Sequence, residues 1–217
     1  MTGRERVLNT LAFRGSDRIP LDIWVLPAAR LAHGKAFDDL QARYADRVDI
    51  ASFVGPFDHG FTPEYYEIGT YTDPWGSRWT NIQAGVVGEV KHPVFADYSA
   101  MKGYTPPTAQ FLREWESNKP ALEAKIAAAR KAGKFIIGGW VSVFERFQFL
   151  RGTEDLYCDI ALEEPEMFAM MDMVMDFLRT YVDAWLAMDV DAVPFGDDWG
   201  TQRSLLISPV TWIKLFK

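Results

Sequence analysis

The chain has 217 residues, 48% of them hydrophobic and 24% charged, a globular composition that excludes collagen-like, disordered and disulfide-scaffold classes. Its 23 Lys and Arg against 30 Asp and Glu leave a net charge of −7, so there is no basic field to attract nucleic acid or an anionic membrane. The single Cys158 cannot pair internally, Met1 is followed by Arg4, Glu5 and Arg6, and no run of about 18 apolar residues occurs. Neither a secretory signal nor a membrane span is read, and a reducing cytoplasm is the expected setting.

Thr2 with Glu5 has the capping-box form, and Val7, Leu8, Leu11 and Ala12 share one helical face, which predicts a short amphipathic helix ending near Gly15. Ile19 to Val25 reads as a first strand with Pro20 near its start. Leu31 to Tyr44 reads as a helix, and Val48 to Val54 as a second strand stopped by Gly55-Pro56. From Phe57 to Pro107, Gly, Pro, Tyr and Trp crowd together around Tyr71-Thr72-Asp73-Pro74-Trp75-Gly76 and Gly85-Val86-Val87-Gly88-Glu89-Val90. Turn residues between short β-branched and aromatic runs predict an irregular insertion with hairpin strands, within a single domain 1–217.

Thr108 to Ala132 is helical, with Pro120 marking a break or a new start inside it. Phe135 to Trp140 is a continuous apolar run, the pattern of a parallel strand covered on both faces. Helix resumes at Val143 and is strongest from Pro165 to Met188, where Asp172, Asp176, Arg179 and Asp183 form a polar stripe. The five methionines between Met167 and Met175 read as irregular core filling rather than a soft ligand site. Val190 to Phe195 is a fourth strand candidate, and Ser208-Pro209 starts a helix that runs to the last residue, Lys217. Alternating strands and long helices predict right-handed βαβ units and a parallel sheet.

Ligands of parallel α/β folds bind beyond the carboxyl ends of the strands. Asp197-Asp198-Trp199 follows the fourth strand candidate; adjacent carboxylates can raise one another's pKa and serve as a general acid or base, and Gly196 and Gly200 permit the tight backbone. Trp140 ends the third strand, and after it come Ser142, Glu145 and Arg146, the last two suited to orienting an acidic substrate or to a structural ion pair. After the second come Asp58 and His59, an acid/base pair or a solvated loop. His33, His59 and His92 lack metal-ligand spacing, so no zinc site is read. The tryptophans suggest an aromatic-lined pocket for a large ring, core packing being the commoner use of such residues.

Taken in order, Arg4-Glu5-Arg6-Val7-Leu8, Asp17-Arg18-Ile19-Pro20 into Trp24, Asp73-Pro74-Trp75-Gly76, Gly85-Val86-Val87-Gly88-Glu89-Val90, Phe144-Glu145-Arg146 to Leu150-Arg151-Gly152 and Phe195-Gly196-Asp197-Asp198-Trp199-Gly200 followed by Ile207-Ser208-Pro209 resemble the uroporphyrinogen decarboxylase superfamily. The resemblance implies a (β/α)8 TIM barrel of which about the first four βα units are present, the chain being cut off inside the helix after Ser208-Pro209. A barrel of this kind needs about 250 residues. It further implies either removal of acetate carboxyls from a tetrapyrrole or, in a sister branch, methyl transfer between corrinoid proteins and thiols. Decarboxylases follow a Trp with an arginine-rich segment; here Trp24 is kept, Pro27-Ala28-Ala29 replaces much of that segment, and Arg30 is the one match to its last arginine. The glycine-rich third-strand end reads Gly138-Gly139-Trp140-Val141-Ser142 with no Tyr before Gly152.

These departures tilt the reading toward the methyltransferase-like branch, whose zinc ligands, a His-x-Cys and a later Cys, would lie beyond Lys217. The resemblance thus implies no cofactor within this chain, with zinc and a corrinoid partner belonging to the longer enzyme. It assigns Asp197, Asp198 and Arg146 to catalysis, and Trp24, Arg30, Asp58, His59, Trp140, Glu145 and Trp199 to a tetrapyrrole or corrinoid-protein substrate. A homodimer is among the assemblies it allows. A third reading is a noncatalytic half that needs a partner half-barrel, because open sheet edges invite pairing.

Overall fold

The computed structural model describes residues 1–58 and 62–217. Helix α1 (Gly3–Leu11) opens with the expected capping box: the Glu5 N–H donates to Thr2 Oγ1 at 3.2 Å and the Thr2 N–H donates to the Glu5 carboxylate at 2.8 Å, so two donors left over at the helix start are satisfied. Ile19 to Val25 corrects the first-strand expectation. The segment joins no strand ladder: Pro20 has no N–H, the Leu21 N–H donates to the Asp49 carboxylate at 2.8 Å, and the one backbone bond to it is the Asp49 N–H donating to the Leu21 carbonyl at 2.8 Å. Ile19 is 87% exposed. Helix α2 (Pro27–Tyr44) starts earlier than its apolar pattern suggests, on a proline whose fixed φ suits the first turn, and kinks at Gly34, where φ is 48°.

Strand β1 (Ile50–Phe53) leads into the insertion, whose strands β2 (Gly69–Thr72), β3 (Arg78–Asn81) and β4 (Glu89–His92) form an antiparallel sheet in the order β2-β3-β4. Asp73 builds the β2–β3 turn: its Oδ1 accepts from the N–H groups of Trp75 at 3.0 Å and Ser77 at 2.9 Å, and its Oδ2 from the Trp79 indole at 3.0 Å. Helix α3 (Thr108–Lys131) passes through Pro120 without a break, which corrects the expected interruption.

Strand β5 (Phe135–Gly138) pairs in parallel with β1, Ile50 opposite Phe135 through Phe53 opposite Gly138. Helices α4 (Phe144–Arg151), α5 (Thr153–Leu162) and α6 (Pro165–Leu186) follow. The segment 190–196 lies parallel to β5 only through the bridges Ile137–Ala192 and Val141–Phe195. That corrects the fourth-strand expectation, since Pro194 interrupts the row of donors a ladder needs. Helix α7 (Pro209–Leu215) is capped by Ser208, whose Oγ accepts from the Thr211 N–H at 3.0 Å.

The architecture is thus mixed α/β with a small parallel sheet, and the described residues close no barrel. Met167, Met170, Val174, Phe177, Tyr181 and Trp185 of α6 are buried against Phe111 and Trp115 of α3, Phe144 and Phe147 of α4, and Trp75 and Phe95 of the insertion. The methionines do fill core. Among the described residues, no helix is long and apolar enough to cross a membrane.

Candidate functional site

Tryptophans resting on glycines shape the carboxyl ends of the parallel segments. The Trp185 ring lies so close to Gly138 and Gly139 that a Cβ at either would collide with it, and a Cβ on Gly55 would come within 2.9 Å of the same ring. Trp140 in turn packs on Gly196, which likewise leaves no room for a Cβ. Glycine at these positions is a packing requirement.

Two hollows open at this end of the molecule. The first, about 320 Å³, is lined by Trp140, Glu145, Gly196, Asp197 and Asp198, so the structure brings together four of the residues singled out from sequence. Asp197, however, is committed. It accepts from the N–H groups of Val143 at 3.1 Å, Phe144 at 2.8 Å and Glu145 at 3.2 Å, and from Ser142 Oγ at 3.1 Å. This carboxylate caps the start of α4 from a segment more than fifty residues later in the chain, and its negative charge suits the helix N-terminus. Four donors thus hold the carboxylate singled out from sequence for catalysis. Glu145 accepts from Ser142 Oγ, and Asp198 is exposed, with one bond from the Gly200 N–H at 3.2 Å.

Arg146 is not part of this hollow. The guanidinium of this residue, expected to be catalytic, sits 3.6 Å from Asp73 and over the rings of Trp75 and Phe149 at 5.4 and 5.5 Å, an ion pair and cation–π contacts that tie α4 to the insertion. Trp199 stacks on Phe144 with centroids 4.0 Å apart and planes 16° from parallel; it closes over the core and lines neither hollow. Trp24 is 79% exposed, and Arg30 pairs on the surface with Asp38 at 2.8 Å. Neither lines either hollow. The expectation for His59 falls outside the described residues.

The second hollow, about 280 Å³, lies between Asp58 after β1, the insertion and α3. Asp58 is buried and accepts from the Tyr181 hydroxyl and, at 2.7 Å, from the Gly55 N–H. Burial pushes its carboxyl up to about 7 against the pull of these donors, because a charge out of water is costly. Tyr181 accepts in turn from the Trp140 N–H at 3.0 Å, and burial, with the Asp58 charge beside it, raises its phenol well above the ordinary value. A hydrogen-bonded row Trp140–Tyr181–Asp58 thus joins the two hollows. Sequence reasoning missed Tyr181 because it sits in phase with the buried face of α6. A tyrosine within an apolar stripe was the available signal, since its hydroxyl must find a partner when buried.

Among the described residues, no group of three or more His, Cys, Asp and Glu side chains is placed to hold a metal ion. Comparisons with protein-family models, with curated proteins and with solved structures find no match to this chain.

Proposed function

We propose that the chain forms about four βα units of a uroporphyrinogen decarboxylase-like (β/α)8 barrel and belongs to the branch that handles corrinoids. The observation that carries this reading is the first hollow: a half-exposed Trp140 packed on Gly196 between Glu145 and Asp198, with no Lys or Arg in its lining. A corrin ring presents a broad apolar face edged by neutral carboxamide arms. The indole offers a surface for the ring, and Glu145 and Asp198 offer acceptors to amide N–H groups.

A uroporphyrinogen carries carboxylates instead, and would place them against two acidic side chains. The arginines it would require are engaged, Arg146 with Asp73 and Arg30 with Asp38. Among the described residues, no group of His, Cys, Asp and Glu side chains fits zinc. What these residues do is hold and orient: Asp197 fixes the start of α4, and with it Glu145, beside the ring site. The parallel sheet holds only β1 and β5, with isolated bridges from β5 and Val141 to the segment 190–196, and the further strands of a barrel would extend it on both sides.

Equilibrium dialysis against methylcobalamin and, separately, uroporphyrin tests the proposal. Saturable retention of the corrinoid, weakened about tenfold or more in Trp140→Ala, is expected. Retention of uroporphyrin with the corrinoid excluded overturns it.

A further inference from the structure

Helices cover one face of the parallel pair β1–β5. Trp115 of α3 and Trp185 of α6 lie on Gly55, and Trp185 also lies on Gly138; Ile136, on the same face by alternation, is fully buried. On the opposite face Ser52 stands beside Ile137 in the register. Ser52 and Val54 there are exposed and Ile137 is half-buried, whereas parallel sheets are found with both faces covered. The stretches that flank the pair are barer still. Residues 8–48 and 189–217 are all described, and none of them is buried, although Ile19, Ile23 and Trp24 belong to the first and Phe195, Val210 and Ile213 to the second. The whole chain exposes 12976 Å², where a compact monomer of 24.7 kDa exposes about 10,000 Å². Apolar surface left open on this scale marks a contact with another molecule.

We infer that a second copy of this chain covers these surfaces. An obligate homodimer takes about 1,000 to 2,500 Å² from each partner, and the excess of about 3,000 Å² over a compact monomer supplies that area. A two-fold axis sets residues 189–217 of one copy against residues 8–48 of the other, and the reverse, so a single contact made twice covers both flanks. A partner of another kind would have to offer two different surfaces. Little charge opposes the approach of two chains that each carry −7, since residues 19–26 contain only Asp22 and residues 192–196 contain no charged side chain. Pro20 and Pro194 each take a donor out of an edge, which favours packing of side chains over an open-ended ladder. The inference rests on the half-barrel reading in one respect: the second copy stands where the further strands would.

Sedimentation velocity from low to high micromolar concentration tests it, and the chain is expected to sediment at twice 24.7 kDa. Trp24→Glu and Phe195→Glu place a charge on side chains that are 79% and 66% exposed in one copy, so each protomer is expected to keep its fold by circular dichroism. Each variant is expected to raise the dimer dissociation constant at least about tenfold, while Leu112→Glu, at an exposed position of α3, leaves it unchanged. In hydrogen exchange, dilution is expected to release amides of both flanks together. A monomer at every concentration, a series of ever larger species, a dimer indifferent to both flank glutamates, or protection confined to one flank overturns the inference. A monomer that retains methylcobalamin would remove the dimer and leave the ring site standing; a dimer that does not retain it would do the reverse.

Discussion

Asp58 is buried, and loss of water pushes its carboxyl up to about 7 even though Tyr181 and Gly55 donate to it. An unfolded aspartate titrates near 3.9, so over the interval between, the folded chain holds a proton that the unfolded chain has released. The stabilisation is full below about 4 and is lost as pH rises through about 7. Asp58→Asn is neutral throughout. Its urea midpoint relative to the parent is expected to climb between pH 5 and pH 8; a constant offset would mean that another group carries the dependence. Asp197→Ala removes the cap of α4 and leaves the Val143, Phe144 and Glu145 N–H groups without it, at an expected cost of about 2 kcal/mol. Asp197→Asn, which retains an acceptor, is expected to recover most of that loss in thermal unfolding. Position at a strand end made Asp197 legible as a residue of the site. Its role was not legible, because the backbone that consumes its oxygens is distant in sequence.

Among the elements, α3 shows how tertiary burial overrides a local breaker. Phe111 and Trp115 before Pro120, and Leu122 and Ile126 after it, are all buried, and this shared face holds the helix continuous across an exposed proline. Pro120→Ala restores an N–H donor and relieves the clash with the preceding turn. It is expected to stabilise the protein by about 2 kcal/mol, read as a higher melting temperature; a lower one would show that the ring contributes packing. The parallel pair β1–β5 was legible from two apolar runs separated by long helices, and the hairpins of the insertion from their turn residues. The outer two segments were overread. Apolar content alone does not make a strand, and Pro20 and Pro194 each remove a donor where a ladder would need it. The glycines of the strand ends were visible in the sequence, but that Trp185 and Trp140 demand them was not, since each tryptophan lies tens of residues from a glycine it covers.

Across the whole molecule, two aspartates with enclosed side chains clamp the amino ends of the parallel segments. Asp49 receives Arg6, Arg18 and the Leu21 N–H, and Asp191 receives Arg4, Arg130 and the Ile136 N–H. Burial works to raise the Asp191 pKa, and Arg130, the Ile136 N–H and Arg4 outweigh it, leaving it below the ordinary value. With a depressed folded pKa, its contribution is present above about 3.9 and is lost as pH falls through the folded value. Asp191→Asn is therefore expected to cost about 3 kcal/mol at pH 7 and progressively less below pH 4, by urea unfolding. A cost independent of pH would assign the loss to packing.

The same clamp sets an order of events while the chain is being made. Arg6 meets Asp17 after 11 residues and Asp49 after 43, whereas Arg4 must wait for Asp191, 187 positions later. At roughly 5 to 20 residues per second, that wait is about 10 to 40 s. Helix α1 is tethered early by Arg6 and completes its attachment only when the segment on the far side of β5 has emerged.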